Sequence, residues 1–177
     1  MTIATYDNAL DEPAAEAAVT EQYLTFVLDG EEYGVDILRV REIKGWQKTT
    51  PIPNTPEYLK GVINMRGTIV PIIDLRERFG LEKVEYGPTT VVIVLKVISG
   101  ERDRTMGIVV DAVSDTYQIS ADQVQPAPEF GGAISVEFLR GLATVDEQMI
   151  ILLDIDHLLN SGELKVMERA AQSVAEE

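Results

Sequence analysis

The 177-residue chain contains no cysteine, which excludes a disulfide, a thiolate nucleophile and any zinc site built on cysteine. A single histidine, His157, leaves serine-histidine chemistry and imidazole metal sites with little to build on. Cations are scarce: 15 Lys and Arg against 30 Asp and Glu give a formal net charge of −15. Phosphate backbones and anionic membrane surfaces need Lys and Arg gathered on one face, so no nucleic-acid or anionic-lipid partner is expected. No apolar run approaches the roughly 18 residues of a spanning helix and no charged-then-apolar leader opens the chain, so the expectation is a soluble cytoplasmic protein. Neither a Gly-rich phosphate loop with Lys-Ser or Lys-Thr nor a Gly-x-Gly-x-x-Gly fingerprint between a strand and a helix is present.

What the chain does have is core material. At 45% hydrophobic residues it can fill one domain or two small, intimately packed units. The most informative stretch runs from Glu57 to Leu75. Two apolar, β-branched segments flank Asn64-Met65-Arg66-Gly67; Gly67 can take the positive φ of a tight reversal and Asn64 can bond back to turn backbone, which predicts a β-hairpin. Pro71, lacking an N–H, belongs at a bulge or an edge. The pattern returns eighty residues later. Glu137-Phe138-Leu139-Arg140-Gly141-Leu142 matches Glu57-Tyr58-Leu59-Lys60-Gly61-Val62, and Ile150 to Ile155 matches Val70 to Leu75. Pro51-Ile52-Pro53 recurs as Pro126-Ala127-Pro128, and Tyr33 to Ile43 resembles Met106 to Thr116. Four blocks in one order, at offsets of 73 to 80, indicate a degenerate internal duplication with units at about 22–88 and 89–160.

Residues 1–19 carry Asp7, Asp11, Glu12 and Glu16 with no basic residue and read as a flexible acidic tail. Tyr23 to Leu28 has strand composition, Asp29-Gly30 is a hairpin signal, and Glu32 to Val35 opens the partner strand. Ile37, Val40 and Ile43 then recur at helical spacing; a short helix or wound turn ending at Gly45 fits, and so do two adjacent strands. Pro51, Pro53 and Pro56 keep Lys48 to Pro56 extended. Leu75 to Phe79 predicts one or two helical turns closed by Gly80. Thr89 to Ile98 is nearly all β-branched, the pattern of a strand buried on both faces, and Gly107 to Val113 predicts a second. Ser99 to Arg104 connects them. Phe130 to Ser135 predicts a mobile loop, and the residues after Asp156 a C-terminal helix with 166–177 as its end and tail. The fold class is mainly all-β: two five-stranded antiparallel barrels, each marginal alone, sharing a core across 20–165.

Catalysis finds no constellation. Asp74 and Asp154 occupy equivalent repeat positions, which a symmetric acid-base dyad or two helix caps would both explain. His157 stands beside Leu158 and Leu159 as a helix residue. No cofactor or metal is implied. A binding surface is the alternative: Ile37, Val40 and Glu42 in one repeat, with Met106, Gly107 and Val113 in the other, would line an apolar cleft for an amphipathic partner helix, or else belong to the core. Arg66 at a hairpin tip is solvated or orders a carboxylate across an interface.

Asp29 to Leu38, Gly61 to Gly67 with Pro71 to Arg76, and Gly107 to Asp115 resemble the CheW family of chemotaxis coupling proteins over residues 20 to 165. The regulatory domain of the chemotaxis kinase CheA shares this fold, and a chain of this length resembles the stand-alone adaptor. The resemblance implies two SH3-like five-stranded barrels and a non-catalytic adaptor that couples methyl-accepting chemoreceptors to CheA. It implies that the cleft between barrels takes the receptor's cytoplasmic helical-hairpin tip at Ile37, Val40, Glu42, Gly61, Arg66, Met106, Gly107 and Val113. For the kinase regulatory domain and array contacts it implies the first barrel, with Lys60 and Gly67, and the segment containing Glu129 and Phe130. A monomer in isolation and membership of a receptor array in the cell follow. A peptide-binding module outside chemotaxis is the alternative.

Overall fold

The computed structural model describes residues 20–100, 102–128 and 136–160. Four hairpins organise it, three of them closed by two-residue turns and the fourth joining Val91–Ile98 to Asp103–Val110. Thr20–Leu28 (β1) and Glu31–Asp36 (β2) are joined by Asp29-Gly30, at φ 54° and 79°. Leu59–Met65 (β4) and Thr68–Asp74 (β5) are joined by Arg66-Gly67, at 52° and 90°. Leu139–Val145 (β10) and Gln148–Leu153 (β11) are joined by Asp146-Glu147, at 51° and 65°. Positive φ at both turn residues lets the turn follow the right-handed twist of the strands it joins. The Asn64 side-chain oxygen accepts the Gly67 N–H at 2.8 Å, as its short side chain led one to expect.

The other strands are Val40–Gly45 (β3), Val91–Ile98 (β6), Asp103–Val110 (β7), Ala112–Ser120 (β8) and Val124–Gln125 (β9). Between β2 and β3 lies a single 3-10 turn, Ile37–Arg39, whose Leu38 N–H is accepted by the Asp36 side chain at 3.0 Å. The helical spacing of Ile37, Val40 and Ile43 thus describes one turn followed by a strand, because pairing of Val40 and Ile43 with β6 overrides it. The strand expected over Gly107 to Val113 breaks at Asp111, whose N–H turns to the Val27 carbonyl at 3.1 Å. Helical turns at Leu75–Arg78 and Ile155–Leu159 follow β5 and β11. The acidic tail, the Phe130 to Ser135 loop and the C-terminal helix beyond Asn160 lie outside the described residues.

One sheet runs β8-β1-β2-β11-β10-β9 and the other β3-β6-β7-β5-β4. Laid side by side the orders agree over five strands, and the sixth, β9, has its counterpart in the isolated bridge of Thr50 with Val62, so the repeat seen in sequence is a repeat in space. Each sheet nevertheless draws on both halves of the chain: the N-terminal hairpin of each repeat is built into the sheet of the other. This exchange creates one parallel pair per sheet, β2 with β11 and β5 with β7, where wholly antiparallel barrels were expected. The ladders are equivalent too, Gly34 opposing Leu152 and Gly107 opposing Ile72.

Alternate residues of the central strands face different cores. Ile93, Leu95 and Val97 of β6 enter the core shared by the two sheets, with Phe26, Leu28, Met106 and Ile108. Val92 and Val94 face the interior of their own barrel with Ile63, Val70 and Ile72. Tyr23, Ile119, Ile150 and Leu152 fill the interior of the other barrel. β6 is therefore buried on both faces, as its nearly all β-branched run predicts.

Candidate partner-binding surface

The edge strands β3 and β8 begin at equivalent places in the two sheets. Val40 opposes Leu95, Val113 opposes Phe26, and in both cases the register slips immediately beyond. Such a bulge re-aims the side chains around it. Val40 and Val113 are half-buried and, with Ile37, pack on the rim of the shared core, so they are at once core and accessible apolar surface. Beside Ile37 stands Leu38, 84% exposed. Sequence reading passed over Leu38 because it lies off the Ile37, Val40, Ile43 stripe; exposure of a large apolar side chain is a property only the folded turn reveals.

The 3-10 turn is fixed by a long-range tie. Arg39 donates two hydrogen bonds to the Asp156 carboxylate, both at 2.7 Å, and a third to the Lys96 carbonyl at 3.3 Å; Asp156 also accepts the Ile98 N–H at 2.8 Å. Burial alone would push the Asp156 carboxyl up, but the hydrogen bonds from Arg39 and Ile98 outweigh it and hold it below its usual range. A carboxyl depressed on folding stabilises the protein above its unfolded pKa, near 4, and loses that contribution as pH falls below it. Asp156→Asn is expected to cost about 1–2 kcal/mol at pH 7, with the two proteins converging toward pH 3 in urea unfolding. A pH-independent gap would show that packing, not charge, makes the tie.

Glu42 and Arg66, far apart in sequence, meet here. The Arg66 guanidinium donates to the Glu42 carboxylate at 2.7 Å, and Lys44 lies 3.8 Å away. The hydrogen bond from Arg66 is the main reason the Glu42 carboxyl is lowered. Arg66 is thus neither free nor simply solvated: it stays exposed while paired, so the surface presents a preformed ion pair. Three other expected contact residues lie inside. Met106 is 1% exposed in the shared core, Gly107 faces the interior of the first barrel against Ile72 and Val92, and Gly61 is buried against the Thr50 carbonyl. They shape the surface from beneath and do not present one.

The family model described as CheW-like domain matches residues 22–163. The chain belongs to the CheW-like family. It is similar to the chemotaxis protein CheW of Klebsiella aerogenes, 48% identical over 159 residues, which span 90% of this chain and 93% of that protein. It is also similar to the protein FrzA of Myxococcus xanthus, 28% identical over 165 residues, 92% of this chain and 98% of that one. The crystal structure of the scaffolding protein TtCheW from Thermoanaerobacter tengcongensis superimposes with a TM-score of 0.72 at 33% identity, covering 81% of this chain and 95% of that one. The two SH3-like subdomains implied by sequence resemblance fit the two sheets described here.

Elsewhere in this CheW-like chain, Lys60 is half-buried in an ion pair with Glu77, and Lys83 bridges Glu57 at 2.8 Å and Glu77 at 3.6 Å. Gly67 stands exposed at the β4–β5 tip. Glu129 and Phe130 lie outside the described residues. Asp74 and Asp154 are helix caps: Asp74 accepts the Glu77 N–H at 3.2 Å and Asp154 the His157 N–H at 3.1 Å. Asp154 also bonds the His157 ring at 2.8 Å, which raises the imidazole pKa. Among the described residues no group of three or more His, Cys, Asp or Glu could hold a metal, and no helix is long and apolar enough to cross a membrane.

Proposed function

We propose that this chain is a non-catalytic adaptor of chemotaxis signal transduction, cytoplasmic and recruited to receptor arrays, that couples methyl-accepting chemoreceptors to the histidine kinase CheA. The observation that supports it best is likeness over nearly the whole chain to relatives named for chemotaxis and scaffolding, on a fold whose apolar side chains at the subdomain seam are half-exposed. The receptor tip, a helical hairpin, docks on Ile37, Val40 and Val113 with the Glu42 and Arg66 pair setting register, while Gly61, Met106 and Gly107 hold that surface in shape. The kinase regulatory domain engages the first barrel around Lys60 and Gly67, with Glu129 and Phe130 closing array contacts. Individual contacts of this size are modest, and the array supplies avidity.

Calorimetric titration of the full chain with the kinase regulatory domain, and separately with a receptor-tip fragment, tests the reading. Both are expected to bind saturably on separable surfaces. Val40→Glu is expected to weaken the receptor tip at least about tenfold while leaving the kinase domain's affinity unchanged. Binding to neither partner would return the chain to the peptide-module reading, and a Val40 variant that fails to fold would make that residue core alone.

A further inference from the structure

The two barrels are equivalent in backbone but not in charge. In the first, Glu42 and Arg66 neutralise each other. Their equivalents in the second are Asp115 and Asp146, both acidic and both exposed. Where the first barrel has Thr105 on β7, the second has Glu32 on β2, on the ladder opposite Ile150 and therefore facing the barrel interior. Glu32 is 9% exposed; one of its oxygens accepts the Ser114 hydroxyl at 2.5 Å, next to Asp115, and the other is buried with no hydrogen-bond partner. Glu32 is tied to β8 through Ser114 and lies on the ladder beside β11, which leads to Asp146 at the hairpin tip. Burial first, and then the charges of Glu32, Asp115 and Asp146, push the Tyr117 hydroxyl up. Among the described residues, none of the three carboxylates has a cationic partner.

We propose that this mouth of the second barrel, between the β10–β11 tip and β8, is a docking site for a Lys or Arg side chain carried by a protein partner. A buried carboxylate oxygen with nothing to accept from is costly in the free protein, and an incoming cation with several N–H donors removes that cost. Arg suits the place best, because it stays charged and presents several N–H donors in one fixed, planar geometry. Met149, 57% exposed on the same hairpin, offers an adaptable apolar contact to the residues flanking the cation. A metal ion would have no use for it, and no metal-holding group forms here among the described residues. The site is distinct from the Glu42 and Arg66 surface and needs no assumption about the adaptor role.

The test is calorimetric titration of the full chain with the acetylated, amidated tripeptide Leu-Arg-Leu and with its citrulline counterpart at low ionic strength. The arginine peptide is expected to bind saturably and the citrulline peptide not. Glu32→Gln is expected to weaken binding about tenfold or more, and Glu31→Gln, which removes an exposed charge from the same strand, less than about twofold. Glu32→Gln is expected to melt no lower than the parent, since Ser114 keeps an acceptor and a buried charge is removed. Equal losses in the two variants would reduce the effect to net charge and overturn the site. Absence of saturable binding, or equal binding of the citrulline peptide, would overturn it as well.

Discussion

Gly61→Ala is expected to destabilise the protein by about 3 kcal/mol or more, and Gly141→Ala by a similar amount. Both glycines sit where β4 and β10 slip register against their partners, at φ 129° and 153°, a region L-residues rarely adopt. A Cβ at Gly61 would overlap the Thr50 carbonyl oxygen, and one at Gly141 would lie 2.5 Å from that of Gln125. These obstacles are backbone and cannot rotate away. At Gly61 relief requires breaking the two 2.9 Å hydrogen bonds that pair Thr50 with Val62. Gly67→Ala is the control: also at positive φ but facing open space, it is expected to cost only about 1 kcal/mol. Urea unfolding of the three variants decides the matter; equal costs at Gly61 and Gly67 would mean that conformation, and not the close approach, is what glycine serves.

Asp74→Ala is expected to cost about 3 kcal/mol, and the equivalent Asp154→Ala only about 1. The two residues cap equivalent turns, and their N–H groups donate to Tyr58 and Phe138 at 2.7 and 2.8 Å, themselves equivalent. They differ in surroundings. Asp74 is 5% exposed and its second oxygen accepts the Tyr86 hydroxyl at 2.5 Å, whereas Asp154 faces an exposed His157. Burial, and after it the Asp74 hydrogen bond, drives the Tyr86 phenol far up, so removing Asp74 leaves a half-buried hydroxyl without its acceptor. Tyr86 packs on Trp46, the only tryptophan, with ring centroids 4.3 Å apart, so intrinsic fluorescence reports the loosening directly. Comparable losses at the two positions, with unchanged fluorescence, would refute the buried hydrogen bond as the source of the difference.

Much of the candidate surface was legible one residue at a time. Val40, Ile37 and Val113 stand out by spacing and by repeat, and they do lie at the seam. Arg66 and Glu42 were singled out separately; their ion pair was not visible, because nothing local fixes the approach of a β4–β5 tip to β3. Met106 and Gly107 have the same apolar or small character whether they line a cleft or fill a core, and only packing distinguishes these. Leu38 carries the opposite lesson, since it lies off the apolar stripe and only the capped turn shows its large side chain left in solvent.

The sequence by itself determined the hairpins, the duplication and the doubly buried strand. Each follows from causes written along the chain: turn residues that take a positive φ, blocks that recur in one order, or the run of apolar residues along one strand. Only the tertiary structure decided which repeat each hairpin joins, that Arg39 reaches Asp156, and that Arg66 reaches Glu42. Those outcomes depend on strand pairs distant in sequence. Either partner strand offers the same backbone donors and acceptors, so the choice rests on packing summed across both sheets.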